Sequence, residues 1–166
     1  MAEFVKVTNQ QLIAFSKDHL FYEFEMLYGV SKQLQRISQK SIKNIYIYNA
    51  LLESFVIHAS VILDFFYKMP INPDEAKATH YINDVDSWKK QLPPYSKHFI
   101  KFNKKRNRDV MHLNYSRLDV PVYDKNWNSL QLVRDIKRII NLFLDYADPQ
   151  RVHPDIYKLR NKSEAL

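Results

Sequence analysis

The sequence predicts an all-α fold, an up-and-down bundle of four main helices with one or two short extra helices. Three observations point to it. The chain of 166 residues holds one glycine, Gly29. Tight hairpins need backbone at positive φ, where glycine is least strained, so a β-rich chain would carry many more. Apolar residues recur at spacings of three and four over long stretches, which is the helical period. The connecting segments are marked by prolines, among them Pro70, Pro73, Pro93, Pro94 and Pro121. With 46% hydrophobic and 14% aromatic residues, the chain is apolar enough to bury a core.

Thr8 followed by Gln11 reads as a capping box that opens the first helix. Leu12, Ile13, Leu20, Phe24, Leu27 and Leu34 then share one third of a helical wheel. Ser16 takes the small position among them, and Phe15 falls off the edge. This helix is expected to reach about Ile37, with a bend at Gly29 or Val30. A second helix is expected over 41–67, with Leu52, Phe55, Val56, Ala59, Ile62, Leu63 and Phe66 inward. Asn49, Glu53, Ser60 and Asp64 form a polar stripe at the edge of that face.

The segment 68–83 reads as loop, and 84–91 as a short helix carrying Trp88. Pro93 and Pro94 end it, and a third long helix starts near Tyr95 and runs to about His112 or Tyr115. Residues 119–125 read as loop. Asn126 is the expected cap of a fourth helix, with Leu130, Val133, Ile136, Ile140 and Phe143 at helical spacing. Residues 1–148 form the expected helical domain, and 149–166 a polar C-terminal extension.

Composition excludes several chemistries. A chain with one glycine holds no Walker loop or dinucleotide fingerprint. The absence of cysteine removes disulfides, thiolate zinc sites and cysteine nucleophiles. No His, Asp or Glu spacing asks for a metal, and no cofactor is expected. The N-terminal residues lack a signal-peptide core, and the most apolar stretch, 54–67, is too short to span a bilayer. A cytoplasmic protein without a membrane partner is the resulting expectation. The formal charge of +7 suits an anionic partner such as RNA.

One segment stands out chemically. Residues 96–112 read SKHFIKFNKKRNRDVMH, with six cations: Lys97, Lys101, Lys104, Lys105, Arg106 and Arg108. A solvated helix face is the common meaning of such a run, and a groove for a phosphate backbone is the functional one. Phe99, Phe102, Val110 and Leu113 mark an apolar face with Arg106 in its middle. A buried guanidinium needs a carboxylate or a polar cleft, and Glu53 and Asp64 are the candidate carboxylates.

Arg106, Asn107 and His112 read R-N-x-x-x-x-H, which resembles the ribonuclease motif of HEPN-type domains. Residues 53–66, ESFVIHASVILDFF, resemble a pattern in uncharacterised bacterial helical proteins of that type, with Ser60 where an arginine is expected. The run 107–113, then Tyr115, Arg117 and Trp127, follows the same order. The resemblance spans roughly residues 41–146. It implies a metal-independent ribonuclease in which the ribose 2′-OH attacks the adjacent phosphate. His112 would be general acid or base, and Arg106, with Arg108, would stabilise the phosphorane. Asn107 would orient the phosphate or His112, and Glu53 or Asp64 would position Arg106. Lys97, Lys101, Lys104 and Lys105 would hold the RNA backbone. The resemblance also implies a homodimer with both motifs facing one cleft, and an antitoxin-type protein partner.

In an uninterrupted helix Arg106 and His112 lie about 120° apart. Either the helix is distorted near Asn107, or a second protomer supplies the missing group. Arg108 and His112, one turn apart, meet without distortion. Two other functions compete: a non-catalytic helical module that binds protein or RNA, and a bundle that binds a small molecule in an apolar cavity.

Overall fold

Thr8 opens the first helix as expected. Its backbone N–H donates to Gln11 Oε1 at 2.9 Å, and its hydroxyl accepts the Gln11 N–H at 3.3 Å. A computed structural model describes residues 7–38, 44–72, 74–120 and 127–165. Helix α1 covers Asn9–Phe15, a π turn covers Ser16–Leu20, and α2 covers Phe21–Ser38. The bend expected at Gly29 is absent, because α2 runs unbroken through it and an added Cβ there would meet nothing within 4 Å.

The distortion sits earlier, and it has a packing consequence. In a regular helix Leu12 and Leu20 would lie about 80° apart. One extra residue in the π turn brings them to within about 20°. Both are buried. Within the same turn the Ser16 hydroxyl donates to Ile13 O at 2.8 Å and accepts the His153 N–H at 2.8 Å. The small inward position foreseen at Ser16 is therefore where the C-terminal segment docks.

Helix α3 spans Ile45–Tyr67; residues 41–43, where the sequence places its start, lie outside the described residues. Asn44 is its cap, with Oδ1 accepting from the N–H groups of Tyr46 (3.0 Å) and Ile47 (3.2 Å). Phe55, Val56, Ala59, Ile62, Leu63 and Phe66 are buried as expected, and Leu52 is half-buried. His58 bonds Glu23 of α2 through Nδ1 at 2.7 Å, tying the two helices together. By length and composition alone, α3 is apolar enough to cross a membrane, but half of that window is buried inside the protein.

The stretch after α3 contains a 3-10 turn, Ala78–Tyr81, and α4 follows at Val85–Gln91, capped by Asp84. Lys77 is buried here, its ammonium 3.0 Å from Glu75 Oε2 and 3.3 Å from the Asp64 carbonyl. Burial, and then the Lys77 charge, hold the His80 imidazole below its ordinary 6.5. Its Nδ1 also accepts the Lys77 N–H at 3.4 Å, which only a ring unprotonated at that nitrogen can do. The unfolded chain thus takes up the proton more readily. The associated stability is complete above about pH 6.5 and is lost as pH falls through the lower folded-state value. Urea unfolding at about pH 7.5 and about pH 5.5 should show a smaller loss in His80→Gln than in wild type; an equal loss would contradict this assignment.

Helix α5 covers Lys97–Arg106, followed by a π turn, Asn107–Met111, and a 3-10 turn, Tyr115–Arg117. Helix α6 covers Ser129–Tyr146. Its cap is Asn128, which accepts the Gln131 N–H at 3.1 Å; Asn126, the expected cap, lies outside the described residues. Val133, Ile136, Ile140 and Phe143 are buried, whereas Leu130 in the first turn is 39% exposed. A core of rings forms where α3, the 3-10 turn, α4 and α6 converge, with Phe143 against Phe65, Phe66, Tyr81 and Trp88. Beyond α6, Val152, Ile156 and Leu159 are buried and the segment packs on α2 and α6. The fold is all-α, and among the described residues the sole strand-like pairing is an isolated bridge between Ile82 and Ala147.

Candidate functional site

Helix α5 carries the basic run, and its spacing decides which cations face out. Ser96 caps it, accepting the Phe99 N–H at 3.2 Å. Phe99 and Phe102 turn inward, Phe99 against the rings of Tyr67 and Tyr95. Lys97, Lys101 and Lys104 are exposed. Lys105, three residues beyond Phe102, follows it inward. It is 7% exposed, with its ammonium 5.0 Å from the Trp127 ring centre. Expected among the outward cations, Lys105 is a buried one.

Arg106 keeps its place on the α5 wheel between Phe99 and Phe102 and is half-buried there. Leu113, expected to mark that face, is 93% exposed, because the helix ends before it. Neither candidate carboxylate pairs with Arg106 among the described residues. Glu53 is exposed on α3, and Asp64 pairs with Lys68 at 3.5 Å. Both Asp64 and Arg106 act on Tyr95. Burial first, then the Asp64 charge, push its phenol above the ordinary range, and Arg106 offsets part of this.

The helix is distorted near Asn107, one of the two alternatives left by the spacing, although one extra residue still leaves positions 106 and 112 about 140° apart. After Arg106 the backbone widens into the π turn, and the His112 N–H donates to Asn107 O at 3.1 Å, five residues back. This pairing stacks the backbone of residue 112 over residue 107. Arg106 in turn donates through Nε to Asn107 Oδ1 at 3.1 Å. Asn107 therefore touches both neighbours, one by its side chain and one by its main chain. Asn107 and His112 are exposed, and among the described residues no hydrogen bond joins the His112 imidazole to the Arg106 guanidinium. Arg108 is bidentate on Asp109, at 2.5 and 2.9 Å, so part of its charge is answered next door.

Arg117 holds the turn closed, a role that sequence reasoning missed. Its Nε donates to Arg108 O and its terminal nitrogen to His112 O, both at 2.7 Å. These are carbonyls at the end of a helix, which lack partners along the chain. No local pattern reveals this, since the contact depends on the chain doubling back through Tyr115–Arg117. Arg117→Gln is expected to cost about 1 kcal/mol of global stability and to speed amide exchange selectively at His112. Unchanged exchange at that amide would remove Arg117 from this role.

Three concavities lie near these elements, and Arg106, Asn107 and His112 line none of them. One of about 270 Å³ separates α5 from the start of α6 and holds His98, Lys101, Lys105 and Trp127. Another, of about 430 Å³, lies between the first π turn and α3 and includes His19, Glu23 and Lys68. The third, of about 270 Å³, lies on the far side of Trp127, against Asp109, Arg117 and Val120. Among the described residues no group of three or more His, Asp or Glu side chains is arranged to hold a metal ion. No family model, curated protein or solved structure matches the chain.

Proposed function

We propose that this protein is a HEPN-like up-and-down bundle of four main helices that acts as a homodimer, binds RNA and cleaves it without a metal. The observation supporting this reading is the widened turn in which Arg106 Nε bonds Asn107 Oδ1 and the His112 N–H bonds Asn107 O, at the end of a helix that also carries the exposed Lys97, Lys101 and Lys104. The lysines supply the sequence-independent attraction of a phosphate backbone. His112 removes the proton from the ribose 2′-OH as that oxygen attacks phosphorus. The 5′-oxygen leaves with a proton from a second acid, which the His112 of a second copy supplies. The products are a 2′,3′-cyclic phosphate and a 5′-OH. Arg106 steadies the charge on the non-bridging oxygens through its planar donor fork, and Asn107 fixes the guanidinium. An antitoxin-type protein would act by covering this surface.

The test is incubation of wild-type protein with total cellular RNA in excess chelator. Fragmentation is expected. Binding that weakens with salt, without fragments, would favour the second reading, a non-catalytic RNA-binding module.

A further inference from the structure

The cleft of about 430 Å³ between the first π turn and α3 takes none of its lining from the residues of the cleavage reading. Leu20, Ile62 and Phe65 are buried and form its floor, whereas Phe15 and Val61, 39% and 45% exposed, stand at its rim. The rings of Phe15 and His19 lie 5.0 Å apart and make one aromatic wall. Charge in the cleft is uneven. Three carboxylates line it, Glu23, Asp64 and Glu75, against two ammonium groups, Lys68 and Lys77. Lys68 faces Asp64 at 3.5 Å, and Lys77 faces Glu75 at 3.0 Å. Glu75 also accepts the N–H groups of Ile71 and Asn72, at 3.2 and 3.3 Å. Glu23 has no ammonium partner among the described residues. Its Oε2 accepts from His58 Nδ1 at 2.7 Å, a bond that fixes the carboxylate, and His58 does not line the cleft. No hydrogen bond reaches Glu23 Oε1 among the described residues. The Glu23 side chain is 24% exposed, so a cation placed on it is screened less than at an open surface.

We infer that this cleft binds a small protonated amine carried on a flat apolar ring, the chemistry of an arylalkylamine. The ammonium donates to Glu23 Oε1 in a charge-assisted hydrogen bond, and the ring packs against Phe15, Val61 and Phe65. Such a cation gives each of the three lining carboxylates an ammonium of its own. An aromatic amino acid fits less well, because its α-carboxylate would meet two lysines that each already face a carboxylate. A phosphate ester is disfavoured for the same reason. The volume of about 430 Å³ lies within the usual range of ligand pockets and accommodates a single or fused ring with a short chain.

The experiment is isothermal titration of the full chain with phenethylamine and tryptamine. Phenylalanine and tryptophan supply the same frames with an α-carboxylate, phenethyl alcohol lacks the charge, and spermidine lacks the ring. At least one of the two amines is expected to bind about ten-fold or more tightly than each of these controls. Glu23→Gln, which keeps an oxygen for the His58 bond, should weaken that binding by about ten-fold or more. Phe15→Ala, at an exposed rim position, should weaken it as well, and it carries the test if Glu23→Gln does not fold. His112→Ala should leave amine binding unchanged, and Glu23→Gln should leave RNA fragmentation unchanged, so this site and the proposed cleavage centre can fail independently. No binding of either amine, equal or tighter binding of the alcohol, the amino acids or spermidine, or binding that survives both substitutions overturns the assignment.

Discussion

Replacing His112 with alanine is expected to lower RNA cleavage by about 10²- to 10⁴-fold, the usual contribution of a positioned acid–base group, with the fold intact. The imidazole is exposed and no side-chain hydrogen bond ties it to the rest of the protein among the described residues, so its loss leaves no cavity. The main-chain bond from residue 112 to Asn107 O survives the substitution, and so do the two bonds from Arg117. Thermal unfolding should move little, while gel-resolved RNA fragments disappear. Arg106→Lys belongs beside it, because an ammonium keeps the charge but loses the planar fork that bonds Asn107. Wild-type cleavage by His112→Ala would show that the imidazole takes no part in the chemistry.

Phe143→Ala is expected to destabilise the protein by about 3–5 kcal/mol, a large share of the roughly 5–15 kcal/mol that holds a domain together. Phe143 is fully buried. Its ring lies 5.6 Å from those of Phe65 and Phe66, 6.0 Å from Tyr81 and 6.3 Å from Trp88. These neighbours come from α3, the 3-10 turn and α4, so no single element can collapse into the space. A fall in the urea midpoint at unchanged slope would measure the loss. A shift below about 1 kcal/mol would mean that the rings repack, and Phe143→Leu should cost clearly less in either case.

The inward faces of α2, α3 and α6 were legible because their apolar residues repeat at the helical period and little else competes. Thr8 with Gln11, Asp84 and Ser96 act locally as well, through bonds to residues three positions away. Positions beyond a distortion were not legible. Leu113 was assigned to the wrong side because a wheel of constant pitch cannot anticipate where α5 widens and ends, whereas Lys105, inside the regular helix, is drawn inward against the Trp127 ring. The same blindness placed a bend at Gly29, when the departure from α geometry lies at Ser16–Leu20. The candidate site divides similarly. Spacing alone left a distortion near Asn107 and a second protomer as alternatives, whereas Arg117 and the His98–Asp135 pair depend on contacts between distant segments.

The most direct measurement is the chemistry of the RNA ends left by wild-type protein in chelator. A 2′,3′-cyclic phosphate on one fragment and a free 5′-hydroxyl on the other are predicted, together with complete resistance of a strand carrying 2′-deoxyribose at the cut position. Fragments ending in 3′-hydroxyl and 5′-phosphate, or cutting that ignores the missing 2′-OH, would contradict attack by the neighbouring hydroxyl.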